Sequence, residues 1–85
     1  MSRAQKLVNR VVAVLQRRQQ NHMNDQKALA EIGSLIDRTE LDGGTGTASE
    51  QVKLAQKTMQ QHKENALTNP DAMIELRRIF AFKAP

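Results

Sequence analysis

Apolar residues recur at three- and four-residue intervals from Ala4 through Val8, Val11, Leu15, Leu29, Ile32 and Ile36, the spacing that one face of an α-helix collects. Written as heptads, Val8, Leu15, His22, Leu29 and Ile36 take one core position, and Ala4, Val11, Arg18, Asp25 and Ile32 take the other. Leu7, Val14, Ala28 and Leu35 widen the stripe to the face of a bundle helix, broader than the seam of a two-stranded coiled coil. The register survives the polar stretch from Gln19 to Asp25. A long N-terminal helix over residues 3–41 is therefore expected, with 19–25 as its weak point and Asn24 or Asp25 as the cap should it restart there. Arg18, His22 and Asp25 stand where apolar residues belong, and in a continuous helix they form a polar layer that sets the register of its partners.

Three of the four residues Gly43, Gly44, Thr45 and Gly46 are glycine, so residues 42–47 read as a turn. Thr47 and Glu50 form a capping box that opens a helix over 48–67, with a thin stripe of Ala48, Val52, Ala55, Met59 and Ala66. Asn69, Pro70 and Asp71 suit an N-cap, a first helical position and the positive end of a helix dipole. They open a short helix over 70–82 whose apolar face, Met73, Ile74, Leu76, Ile79 and Phe80, is the densest in the chain. Ser2 and Gln5 make a second capping box at the start. No internal repeat is visible. The expected fold class is all-α: a helical hairpin or small bundle with a long N-terminal helix, a Gly-rich turn and two shorter C-terminal helices, in a single domain over 1–85.

Composition sharpens this picture. Eighty-five residues without cysteine have neither a disulfide framework nor a thiolate metal site, so stability cannot depend on disulfides. Phe80 and Phe82 are the only aromatic residues, which leaves an aliphatic core with Met as filler. Small chains without such staples commonly gain stability by associating. Self-association or membership of a larger complex is accordingly the expected partner class, through Val8, Val11, Leu15, Leu29, Ile32, Ile36, Met73, Leu76 and Phe80.

The net charge of +4 is distributed in blocks. Arg3, Lys6, Arg10, Arg17 and Arg18 stand in the first 24 residues with no acid, whereas residues 25–50 carry six acids against Lys27 and Arg38. Cations near a helix N-terminus oppose its dipole, so an anionic neighbour is expected, either the acidic block of an antiparallel helix or an anionic partner. Arg3, Arg10 and Arg17 repeat every seven residues with Lys6 beside them. That line makes Arg3, Lys6, Arg10 and Arg17 the candidate anion-binding residues, with nucleic acid as the alternative partner. No aromatic residue interleaves them for base stacking. No stretch approaches the roughly 18 apolar residues of a membrane span.

Catalytic and cofactor signals are weak. The Gly43–Thr47 loop lacks the preceding buried strand and the Lys-Ser/Thr pair of a phosphate cradle. His22 and Asp25 would share a helical face, but no third ligand or cysteine completes a zinc set. No nucleophile elbow surrounds Ser2, Ser34 or Ser49. The expected function is thus a non-enzymatic helical assembly or adaptor subunit acting through protein contacts, without a cofactor, in a structure such as a virion or secretion assembly. The alternative is a small basic nucleic-acid-binding protein or regulator using the N-terminal Arg/Lys block. A soluble location, in the cytoplasm or within a macromolecular assembly, goes with either reading.

Overall fold

The structure, a computed structural model, describes residues 3–39 and 46–80. Four helices follow in order: α1 (Arg3–Gln19), α2 (Asp25–Arg38), α3 (Thr47–Lys63) and α4 (Asn69–Ile79). No strand occurs among the described residues. The all-α class holds. The expected long first helix does not, because the chain reverses at 20–24.

The reversal has a local cause. Asn21 adopts a left-handed backbone with φ 63°, a conformation that asparagine tolerates better than most residues. Its N–H donates to the Arg18 carbonyl, and the His22 N–H donates to the Arg17 carbonyl, each at 3.0 Å. This is the Schellman arrangement, which satisfies the last carbonyls of α1. Asn24 then caps α2, its side chain accepting from the Lys27 N–H at 2.8 Å. Heptad continuity could not reveal the break, because two rows folded onto each other bury the same residues as one long row would. An unbroken helix over 3–38 would run about 54 Å, whereas the folded chain's longest dimension is 32 Å.

The second half repeats the first. Asn65 also has φ 63°, and its N–H and that of Ala66 donate to the His62 and Gln61 carbonyls. Each of these residues lies 44 positions after its counterpart, Asn21, His22, Arg18 or Arg17. Thr68, the counterpart of Asn24, caps α4 by accepting from the Asp71 N–H at 3.3 Å. The cap thus sits one residue before the expected Asn69, and Pro70 follows at the second helical position. Core positions obey the same offset: buried Val8, Val11, Ala28, Leu29, Ile32 and Ile36 correspond to buried Val52, Ala55, Ala72, Met73, Leu76 and Phe80. The chain is a tandem of two helical hairpins. Only Ala4, Val8, Gln16, Asn21, Ala28 and Glu31 recur as the same residue 44 positions on, which is why no repeat is visible in the sequence.

The hairpins pack with α1 against α3 and α2 against α4. Leu7, Leu15, Leu29, Ile32, Met73 and Leu76 are the largest fully buried side chains, each contributing about 1.5–3 kcal/mol of transfer free energy. Gly33 marks the close approach of α2 to α3: a Cβ there would lie 3.3 Å from the terminal methyl of Met59. Gly46 caps α3 with φ 115° and without a side-chain bond, so the expected Thr47 cap is instead the first helical residue. Residues 40–45, with most of the expected Gly-rich turn, and Ser2 of the first capping box lie outside the described residues, as does the end of the expected 70–82 helix beyond Phe80.

Two predictions follow from the reversals and the packing. Asn21→Gly should leave stability within about 0.5 kcal/mol, whereas Asn21→Ala should cost about 1 kcal/mol for forcing a Cβ-bearing residue without a local side-chain bond into the left-handed region; urea unfolding of both variants measures the difference. Gly33→Ala should raise stability by up to about 1 kcal/mol, since helix propensity improves and the flexible end of Met59 can move aside; a loss of stability would show instead that the α2–α3 approach is rigid.

Candidate anion-binding groove

The nine residues expected to form an intermolecular interface, Val8, Val11, Leu15, Leu29, Ile32, Ile36, Met73, Leu76 and Phe80, all lie in the chain's own core, none more than 8% exposed. The functional surface must be sought elsewhere. The polar triad is also redistributed. Arg18 Nε donates to Asp25 Oδ1 at 2.5 Å across the reversal, while His22 is exposed in the loop. Arg18 and Asp25 therefore tie α1 to α2 at the hairpin end. In the second hairpin the counterparts His62 and Asn69 take the same place, with His62 Nε2 2.6 Å from Asn69 Oδ1.

The outer face of the first hairpin carries a recess of about 690 Å³ between α1 and α2. Arg10, Ala13, Val14 and Arg17 line it from α1; Lys27, Ala30, Glu31, Ser34, Leu35 and Arg38 line it from α2. A smaller recess of about 120 Å³ adjoins it, bordered by Arg3, Lys6, Leu7, Arg10 and Thr39. Arg10 belongs to both. The four candidate anion-binding residues are thus brought onto one continuous face. Helix periodicity puts them there: Arg3, Lys6, Arg10, Ala13 and Arg17 form one row of α1 at three- and four-residue steps, opposite the Lys27, Glu31, Ser34 and Arg38 row of α2.

Lys27 and Arg38 escaped the sequence reading because they stand in the acidic block. Their shared row with Ser34, at steps of seven and four, was the available signal. Glu31 is the single acid among the residues lining the recess. It accepts from Arg17 Nη2 at 3.2 Å, both side chains being substantially exposed. With Arg18–Asp25, this pair answers the expectation that an antiparallel helix supplies anions to the basic block. Arg38 Nε donates to the Ser34 carbonyl at 3.3 Å within its own helix. Arg3, Lys6, Arg10, Lys27 and Arg38 have no acidic partner among the described residues.

A second cleft, of about 1040 Å³, opens between α2 and α3 over Leu29, Gly33 and Met59, with His62, Lys63 and Asn69 at one end. Its polar groups are of mixed sign and neutral character, and no charge dominates it. Among the described residues no group of three His, Cys, Asp or Glu side chains is placed to hold a metal ion. No helix of the described residues is long and apolar enough to cross a membrane.

No protein-family model, curated protein or solved structure matches this chain. The reading of the groove rests on its geometry.

The Arg17–Glu31 pair is exposed, so its net worth is small. Glu31→Gln should change stability by no more than about 0.5 kcal/mol in thermal or urea unfolding, while Asn24→Ala, which removes the α2 cap, should cost about 1 kcal/mol. The reverse ranking would mean that Glu31 holds the hairpin together rather than facing a recess.

Proposed function

We propose that this chain is a non-enzymatic interaction module, an adaptor or assembly subunit, that docks an anionic partner through the α1–α2 face. One observation carries the reading. Cations from two different helices, Arg10 and Arg17 with Lys27 and Arg38, converge on a single recess that contains one acid. Like charges gathered this way raise the local potential and destabilise the free protein slightly, so an anionic partner relieves a cost that the fold alone leaves standing.

The second hairpin supports this reading. The counterparts of Arg10, Arg17 and Lys27 are Leu54, Gln61 and Asp71, in a hairpin with the same reversal and the same buried rows. Hairpin geometry therefore does not require the cations. They serve what lies outside the fold. The alternative partner, nucleic acid, is favoured by the exposed Arg3, Lys6, Arg10 and Arg17 row, whose seven-residue steps put charges about 10 Å apart along the helix. Self-association into a larger structure, such as a virion or secretion assembly, would use surfaces other than the buried stripes. Among the described residues, Leu54 at 51% and Ile74 at 56% exposure are the large apolar side chains available for it.

The test compares two variants of equal net charge. Replacing Arg10, Lys27 and Arg38 by Gln should markedly lower the salt at which the protein elutes from immobilised polyglutamate, whereas replacing Lys53, Lys57 and Lys63 on the second hairpin should lower it far less. Equal shifts for the two triple variants would reduce the attraction to net charge and remove the groove from the argument.

A further inference from the structure

The geometry points to an acidic amphipathic helix of a partner protein as the occupant of the α1–α2 groove, an inference that rests on the anion-docking reading and names the partner class. The decisive feature is what lies between the cations. Ala13 and Ala30 line the groove and are exposed, and half-buried Leu35 adds the apolar floor, while Val14 is already covered by the core. A hydrated phosphate backbone gains nothing from an apolar floor and seeks projecting charges and hydrogen-bond donors. A third helix laid between two antiparallel helices gains a floor to cover, small crest residues that permit close approach, and cations on both rims for its flanking carboxylates.

Dimensions agree with this. Arg10 and Arg17 are seven residues apart, about 10 Å along α1, and Lys27 and Arg38 are eleven apart, about 16 Å along α2. A partner helix of three to four turns, with a narrow face of Ala and Leu flanked on both sides by Glu or Asp, spans both rims. Single-stranded nucleic acid has no platform here, since Phe80, the one aromatic side chain among the described residues, is buried in the core.

The two hairpins differ in contour as well as in the placement of charge. The counterparts of the crest residues Ala13 and Ala30 are Lys57 and Ile74, which place longer side chains at the positions where the first hairpin is cut back. Among the described residues Ile74, at 56%, is the more exposed of the two exposed large apolar side chains. The first hairpin alone combines shallow crests with charged rims. Glu31 sits among the cations as a built-in competitor: an incoming carboxylate replaces it at Arg17 without a new buried charge, and that pair is exposed enough to open freely.

The experiment measures binding of three probes to the whole chain by fluorescence anisotropy at low and moderate salt: a helical peptide of about fourteen residues with an Ala/Leu face and Glu on both flanks, the same peptide with Gln for Glu, and a duplex DNA of about twenty base pairs. The key variant is Ala13→Leu/Ala30→Leu, which fills the crests and leaves every charge in place; circular dichroism confirms that it folds. The expected result is that the Glu peptide binds, the Gln peptide does not, and crest filling weakens the Glu peptide about tenfold or more while elution from polyglutamate stays unchanged. If DNA binds more tightly than the Glu peptide and crest filling changes neither, the helical occupant is wrong, nucleic acid takes its place, and anion docking stands. Should the Arg10, Lys27 and Arg38 triple variant bind every probe as the unmodified protein does, both the occupant and the docking reading fall.

Discussion

The fold depends on a chain reversal that one asparagine makes in each half. At Asn21 and Asn65 the backbone enters the left-handed region, and the amide groups of the turn take up the carbonyls that the preceding helix leaves unpaired. Without the first reversal, α1 and α2 would continue as one rod with its apolar row exposed to whatever partner it met. With it, the row closes on itself, and Leu15, Leu29 and Ile32 lie within one chain at 0–2% exposure. A left-handed residue costs on the order of 1 kcal/mol. The satisfied helix end and the apolar area covered behind it outweigh that cost several times over.

Repetition of the hairpin separates what the fold needs from what it merely carries. Residues 44 positions apart agree where side chains face inward: alanine meets alanine at 28 and 72, and leucine or isoleucine meets methionine or leucine at 29 and 73 or 32 and 76. Outward-facing positions agree at Gln16 and Gln60 and at Glu31 and Glu75, but not along the rest of the groove. Arg10 answers to Leu54, Lys27 to Asp71 and Ser34 to Arg78. Even a conserved acid changes its partner, since Glu31 pairs with Arg17 of the other helix while Glu75 pairs with Arg78 of its own. Burial constrains volume and hydrophobicity; exposure leaves the surface available for recognition. The two outer faces of this molecule therefore differ in charge and contour although their scaffolds correspond.

The block pattern of charge acquires its meaning only through the hairpin. Folding α2 back beside α1 brings Asp25 and Glu31 to Arg18 and Arg17, which relieves the basic ends of α1 at the reversal. It also brings Lys27 and Arg38 to the same side as Arg10. An acidic block in the linear sequence thus contributes its two cations to a recess lined by four basic residues and one acid. Net charge over a window misses this, because helix rows sort side chains by position modulo the helical period and not by neighbourhood along the chain.

Helical class, most of the inward rows and the main punctuation to within a residue were legible in the sequence, because each is a local property: three- and four-residue spacing sets a face, and Asn24, Pro70 and Gly46 mark boundaries through backbone chemistry. Ala66 and Ile74, which the spacing also counted inward, are exposed. The α1–α2 break could be seen only as a weak point, since the heptad register is indifferent to whether a row continues or folds back. Tertiary structure decided the rest. It closed the apolar rows within the chain, revealed a repeat hidden under six shared residues, and assembled a groove from cations on two helices. Those outcomes depend on distances between residues far apart in sequence, and the energy that selects them comes from burying both hairpins' apolar rows against each other, which no single row encodes.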